Sequence, residues 1–249
     1  MYAWKCWRET RTRFFLFLTL ALGLPLIVAF FAVFAMTNGD VLSLSRLGST
    51  ELRLLTDEIR EQVIGMSGMI SLGAGVLLGA MSVGNEFEKE TIEYLWTRPR
   101  NRAFFTWTHW LICSLELTVI LSVGPVLTAC LLRGSLEHNW ALLLIPALST
   151  LGGILYLGLT ILTTALRRNG GSGFAFAVGT VAFYGFVSET ASYYLHISSI
   201  TWPNVPLTGW QAATHLYGHP FPWSVVLRIA ALAVAFVLLA QYRLKHSEV

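Results

Sequence analysis

Residues 63–83 read VIGMSGMISLGAGVLLGAMSV. The stretch carries no charge and no proline. A hydrocarbon layer about 30 Å thick takes roughly 20 residues of helix, which is the length of this run. Within it Ser67, Ser71, Gly75 and Gly79 recur every four residues, and the last two form a G-x-x-x-G. Small residues on one stripe of a helix let two backbones approach closely, so the run reads as a packing helix. Its partner is either another helix of this chain or a second copy.

Runs of similar length lie on both sides of it, over about 14–36, 106–132, 141–166, 174–195 and 223–242. Of the 249 residues, 55% are hydrophobic and 12% charged, whereas a soluble domain carries about a quarter charged residues. Backbone groups in lipid must be satisfied within their own segment or in a closed barrel. Barrel strands alternate in polarity and these runs do not. The expected fold is an all-α membrane protein, one domain over 1–249 with six transmembrane helices. The first run is longer than the roughly 7–15 apolar residues of a signal-peptide core, so it reads as a retained span.

Orientation follows from the cations. With the N-terminus in the cytoplasm, the inner segments hold twelve Lys and Arg and the outer ones four: Arg46, Arg53, Arg60 and Arg133. That bias fits the positive-inside rule and places both termini inside. The net charge of +3 therefore belongs to membrane edges and implies no nucleic acid. Cys6, Cys113 and Cys130 form no C-x-x-C pair, so neither a disulfide framework nor a zinc site is expected. At the N-terminus, Trp4, Trp7, Arg11 and Phe14 stand at helical spacing and predict an interfacial helix over 2–13, separate from the first span. Residues 51–62 put Leu52, Leu55 and Ile59 on one face. They read as an outward extension of the second span or as a short surface helix.

The segment after the second span is the most informative. From Gly84 to Arg102 it reads GNEFEKETIEYLWTRPRNR. Four glutamates fall in its first half and Arg98 at its far end, the arrangement a helix dipole favours. Pro99 ends the helix by pushing its predecessor out of the helical region. Phe87, Thr91, Tyr94 and Leu95 share a face. A short amphipathic cytoplasmic helix over about 85–98 is expected, able to lie on the membrane or to dock into a partner's groove.

Gly84, Glu86, Glu88, Thr91, Leu95, Pro99 and Arg102 resemble the G-x-E-x-E-x-x-T-x-x-x-L-x-x-x-P-x-x-R signature of the permease subunits of ABC-2 type transporters. Where that family often has Gly before the Thr, this chain has Glu90, a departure that bears on the partner contact. The resemblance implies a membrane-spanning subunit of an ATP-driven exporter in the bacterial cytoplasmic (inner) membrane. It would pair with a second copy or a sister permease, and each half would rest on a cytoplasmic ABC ATPase subunit. The helix holding Glu86, Phe87, Glu88, Thr91, Tyr94 and Leu95 would be the ATPase-coupling helix. ATP and magnesium would sit on that partner, with no cofactor bound by this chain. An independent check agrees. A phosphate-cradling loop needs G-x-x-x-x-G-K-[ST], and Lys5, Lys89 and Lys245, the only lysines, follow no Gly and precede no Ser or Thr.

Charges inside spans are functional candidates by default. Glu116 falls well within the third span, where it either lines a cavity or bonds a hydroxyl on a neighbouring helix. Glu189 and Arg228 sit at similar expected depth in the fifth and sixth spans and are expected to pair or to join one polar network. Residues 196–222, with two tryptophans and four prolines, read as an outer loop or, from the family resemblance, as short re-entrant helices. His215 and His219 are four apart, but Gly218 and Pro220 break the helix a metal pair would need. No catalytic signature and no metal site is expected. Two other classes stay open beside the transporter: a non-transporting membrane scaffold or sensor partner, and an intramembrane enzyme.

Overall fold

The computed structural model describes residues 2–36, 49–88, 102–131, 144–195 and 223–246. Over these the chain is helical apart from a turn at 168–169: α1 Tyr2–Met36, α2 Ser49–Glu88, α3 Arg102–Leu131, α4 Leu144–Arg167, α5 Gly170–Leu195 and α6 Trp223–His246. Among the described residues four helices are long and apolar enough to cross a membrane, over Ala3–Ile27, Phe104–Val123, Ala147–Arg167 and Val226–His246, and α2 carries a shorter apolar stretch, Met69–Gly84.

α2 and α4 form the centre. α1 packs on α2 and α3, α5 on α4 and α2, and α6 on α4 and α3. The small-residue stripe decides the central contact. Ser71 Oγ donates to the Ser149 carbonyl at 2.7 Å. A Cβ on Gly75 would lie 2.6 Å from the Gly153 carbonyl oxygen, and one on Gly79 2.9 Å from that of Leu157. These pairs step together by one turn, so α2 and α4 run parallel, backbone against backbone. The stripe's partner is therefore a helix of this chain. Ser67 lies on the same helix, with its side chain outside the described residues.

The other contacts set the remaining directions. Lys5 meets Glu86 and Phe17 meets Gly73, so α1 is antiparallel to α2. Trp107 meets Gln241, so α3 is antiparallel to α6. A turn at 168–169 reverses α4 into α5. The start of α1, the end of α2, the start of α3, the α4–α5 turn and the end of α6 thus share one end of the bundle. That end collects Arg8, Arg11, Arg13, Arg167, Arg168, Arg243 and Lys245. The apolar core spreads along the middle from Ala74 and Leu78 to Leu117, Ile120, Leu157 and Ile161.

Two expectations need correction. Residues 2–13 are not a separate interfacial helix. α1 is one helix of 35 residues, because no Gly or Pro falls between Tyr2 and Leu22 and one buried stripe runs through Cys6, Thr10, Phe14, Phe17 and Ala21. The polar start of that stripe meets polar partners on α2 and α3, so nothing forces a bend. Likewise α2 is one helix of 40 residues, about 60 Å at 1.5 Å per residue. It takes in 51–62 as a helical extension of the apolar run, and it runs without a break through Gly84 to Glu88. Residues 85–88 are therefore the last turn of α2, and the expected coupling helix has no separate start there. Residues 89–101 and 196–222 lie outside the described residues.

Candidate functional site

At the basic end of the bundle, α1, α2 and α3 converge on a set of buried polar groups. Lys5 projects from the second turn of α1. Its Nζ donates to both carboxylate oxygens of Glu86, at 2.7 and 2.9 Å. The Glu86 side chain is 4% exposed and that of Lys5 31%. The carboxylate is thus enclosed while the ammonium keeps one side toward water. A carboxylate buried without such a partner would be strongly unfavourable. His109, on α3, brings Nε2 to 3.9 Å from Glu86 Oε1 and 3.8 Å from Cys6 Sγ. One turn further along α1, Thr10 donates its hydroxyl to Glu116 Oε1. The same hydroxyl lies 3.1 Å from the Cys6 carbonyl and 3.3 Å from that of Trp7. It has one proton for three acceptors. Glu116 Oε2 and Arg13 Nη1 are buried and make no hydrogen bond among the described residues.

The site exists because of helical period. Lys5, Cys6, Glu9, Thr10 and Arg13 are spaced to share one side of α1. His109, Cys113 and Glu116 do the same on α3, where His109, Cys113 and Glu116 are all buried. The cluster ties α1, α2 and α3 together through polar side chains. Among the described residues no group of three or more His, Cys, Asp or Glu could hold a metal ion.

The sequence-derived residues fall as follows. Gly84 is buried where α2 crosses the start of α5, and a Cβ there would lie 2.5 Å from Gly170 Cα. Glu86, expected to face a partner, points inward to Lys5. Phe87 is partly buried against the core. Glu88 ends α2 and Arg102 begins α3. Thr91, Tyr94, Leu95 and Pro99 lie outside the described residues. Of the two readings for Glu116, the structure displays the bonded hydroxyl. Arg228 is exposed on α6, and the Glu189 side chain lies outside the described residues. α5 and α6 each pack on α4 and form no extended contact with each other over these residues.

Sequence reasoning missed Lys5, Cys6, Thr10 and His109. His109 carried a signal, being an ionisable residue within an apolar run and seven positions before Glu116. Lys5 carried none, since nothing local links it to Glu86, 81 residues away. Comparison with family models and with curated proteins returns no match.

Proposed function

We propose that this chain is the membrane-spanning permease subunit of an ATP-driven exporter of the ABC-2 type. It crosses the cytoplasmic membrane of a bacterium six times with both termini inside. It forms its path with a second copy or a sister subunit, and it is driven by separate ATPase subunits that carry the ATP and magnesium. The observation that carries the reading is the Gly84–Arg102 pattern, which joins antiparallel α2 and α3 at the bundle end where the cations gather. The alternating helix directions support six crossings. The positive-inside rule supports a cytoplasmic setting for that end.

In this reading Thr91, Tyr94 and Leu95 meet the ATPase, while Glu86 does not. Glu86 ties the base of α2 to α1 through Lys5, so a push on residues 89–101 moves α1 and α2 as one body. Glu116 and Thr10 extend the tie to α3. The test is co-purification. The affinity-tagged chain, expressed from its native locus, brings down a nucleotide-hydrolysing subunit, and Thr91→Ala with Tyr94→Ala releases it without unfolding the permease. Recovery of the chain with no ATPase, or a complex indifferent to both substitutions, refutes the transporter reading in favour of a membrane scaffold.

A further inference from the structure

Glu116 lies in the apolar run of α3 with 4% of its surface exposed. Its Oε1 meets the Thr10 hydroxyl, while Oε2 is buried and has no hydrogen-bond partner among the described residues. Lys5 and His109 face Glu86 instead, and among the described residues no cation forms an ion pair with Glu116. An ionised carboxylate is an acceptor only, with about four lone-pair sites. Here it would hold one neutral donor. A buried carboxyl with no cation and no further donor is neutralised by a proton. The Thr10 hydroxyl suits that neutral form. Its oxygen lies 3.1 Å from the carbonyl of Cys6, one turn back on α1, the acceptor that a threonine inside a helix commonly uses. Lone pairs on that oxygen are then left for a donor. With a proton on Oε1, Glu116 donates to Thr10, Thr10 donates to Cys6, and Oε2 is the carbonyl oxygen of an acid. With the proton gone, Thr10 turns its hydrogen to Oε1, and Oε2 keeps a charge that no donor meets.

We propose that Glu116 is a proton-binding site, occupied at neutral pH, and that its proton fastens α1 to α3. Loss of the proton leaves a buried charge that Thr10 alone does not support, and α1 loosens from α3 around Thr10. The other titratable and charged groups on this side of the bundle are Lys5, Cys6, Glu9 and Arg13 on α1, Glu86 on α2, and His109 and Cys113 on α3. Lys5 is engaged by Glu86. Arg13 follows Thr10 by three residues, and its Nη1 is buried without a hydrogen bond among the described residues. It is the cation able to swing toward Glu116 and take the place of the proton. α4 and α6 also pack on α3, but they hold Arg167, Arg243, Lys245 and His246 at exposed positions of this end. The proposal rests on the α1–α3 contact and does not depend on transport.

Infrared spectra of the full chain in phosphatidylcholine bilayers at neutral pH test the site. The wild type is expected to show a carboxylic-acid C=O band that shifts on exchange into heavy water. Glu116→Gln removes the band, and it keeps a neutral donor for Thr10. Thr10→Val takes away the acceptor instead, so the band moves to higher frequency and stays; this variant reads the site if Glu116→Gln is poorly folded. Amide hydrogen exchange tests the fastening. After correction for the intrinsic pH dependence of exchange, residues 6–13 of α1 are expected to exchange faster in alkali than at neutral pH in the wild type and to show no such rise in Glu116→Gln. A wild-type spectrum without the band, the result of a carboxylate held by Arg13, overturns the proposal. So does a band that survives Glu116→Gln or is unmoved by Thr10→Val, or an alkaline rise in exchange that is equal in the two chains.

Discussion

Removing Lys5 is expected to be more harmful than removing its partner Glu86. Lys5→Met leaves a carboxylate with 4% of its side chain exposed and no ammonium beside it. Breaking a buried pair in this way costs about 3–5 kcal/mol. Lys5 is 31% exposed, so water takes up part of the loss and the expected cost is about 3 kcal/mol. Glu86→Gln leaves the ammonium instead, which turns toward the solvent it already touches. The cost there is about 1 kcal/mol, near that of one ordinary hydrogen bond. The double variant leaves no orphaned charge and falls between the two, so the pair couples by about 1–3 kcal/mol. The assay is reversible unfolding in mixed micelles, following helix content against the mole fraction of sodium dodecyl sulfate, for the wild type and all three variants. A Glu86→Gln penalty equal to or above that of Lys5→Met refutes the burial argument. A coupling below about 0.5 kcal/mol refutes the tie itself, because exposed pairs alone reach that value.

Further predictions follow the same geometry. Gly79→Ala is expected to cost about 1–3 kcal/mol, because its Cβ meets the Leu157 carbonyl and Thr160 Cβ at 2.9 Å. Gly23→Ala, with nothing within 4 Å, is expected to be neutral or to stabilise by up to about 1 kcal/mol; unfolding midpoints of the two variants check the contrast. Thr10→Val removes the hydroxyl on Glu116 and is expected to cost about 1–3 kcal/mol. Thr10→Val with Glu116→Leu should recover most of that, and a double variant no better than Thr10→Val alone would refute it. Arg168 follows the last residue of α4 in the left-handed region at φ 54°, with its N–H on the Thr164 carbonyl at 2.8 Å. Arg168→Gly is therefore expected to raise stability by about 0.5–1 kcal/mol, measured as a shift of the unfolding midpoint in uncharged detergent.

Much of the fold was legible along the chain. Apolar run length lay within a few residues of α3 to α6, because the thickness of a bilayer and the rise of a helix leave little freedom, whereas α1 and α2 begin well before the runs at 14–36 and 63–83. The Ser71, Gly75 and Gly79 stripe announced a close contact, since only small residues allow one. Its partner was not legible. α4 carries Ser149 and Gly153 at matching intervals, but a stripe states that something packs on it and not what. The break expected before residue 14 was a misreading of polarity as topology. A charged stretch next to a span looks like a surface helix until its polar face has partners. Cys6 and Thr10 find theirs on α3, so the helix continues.

Sequence alone determined the solvent this protein lives in, the approximate extent of its helices, and the Gly84–Arg102 pattern on which its proposed role rests. Those properties are local sums over a few dozen consecutive residues. Tertiary structure alone decided that α2 lies parallel on α4, that Glu86 is turned inward to Lys5, and that Gly84 and Gly170 bring α2 and α5 into backbone contact. Each of these depends on residues far apart in the chain meeting at one depth. Side-chain packing sets such meetings, and no period within a single helix encodes them.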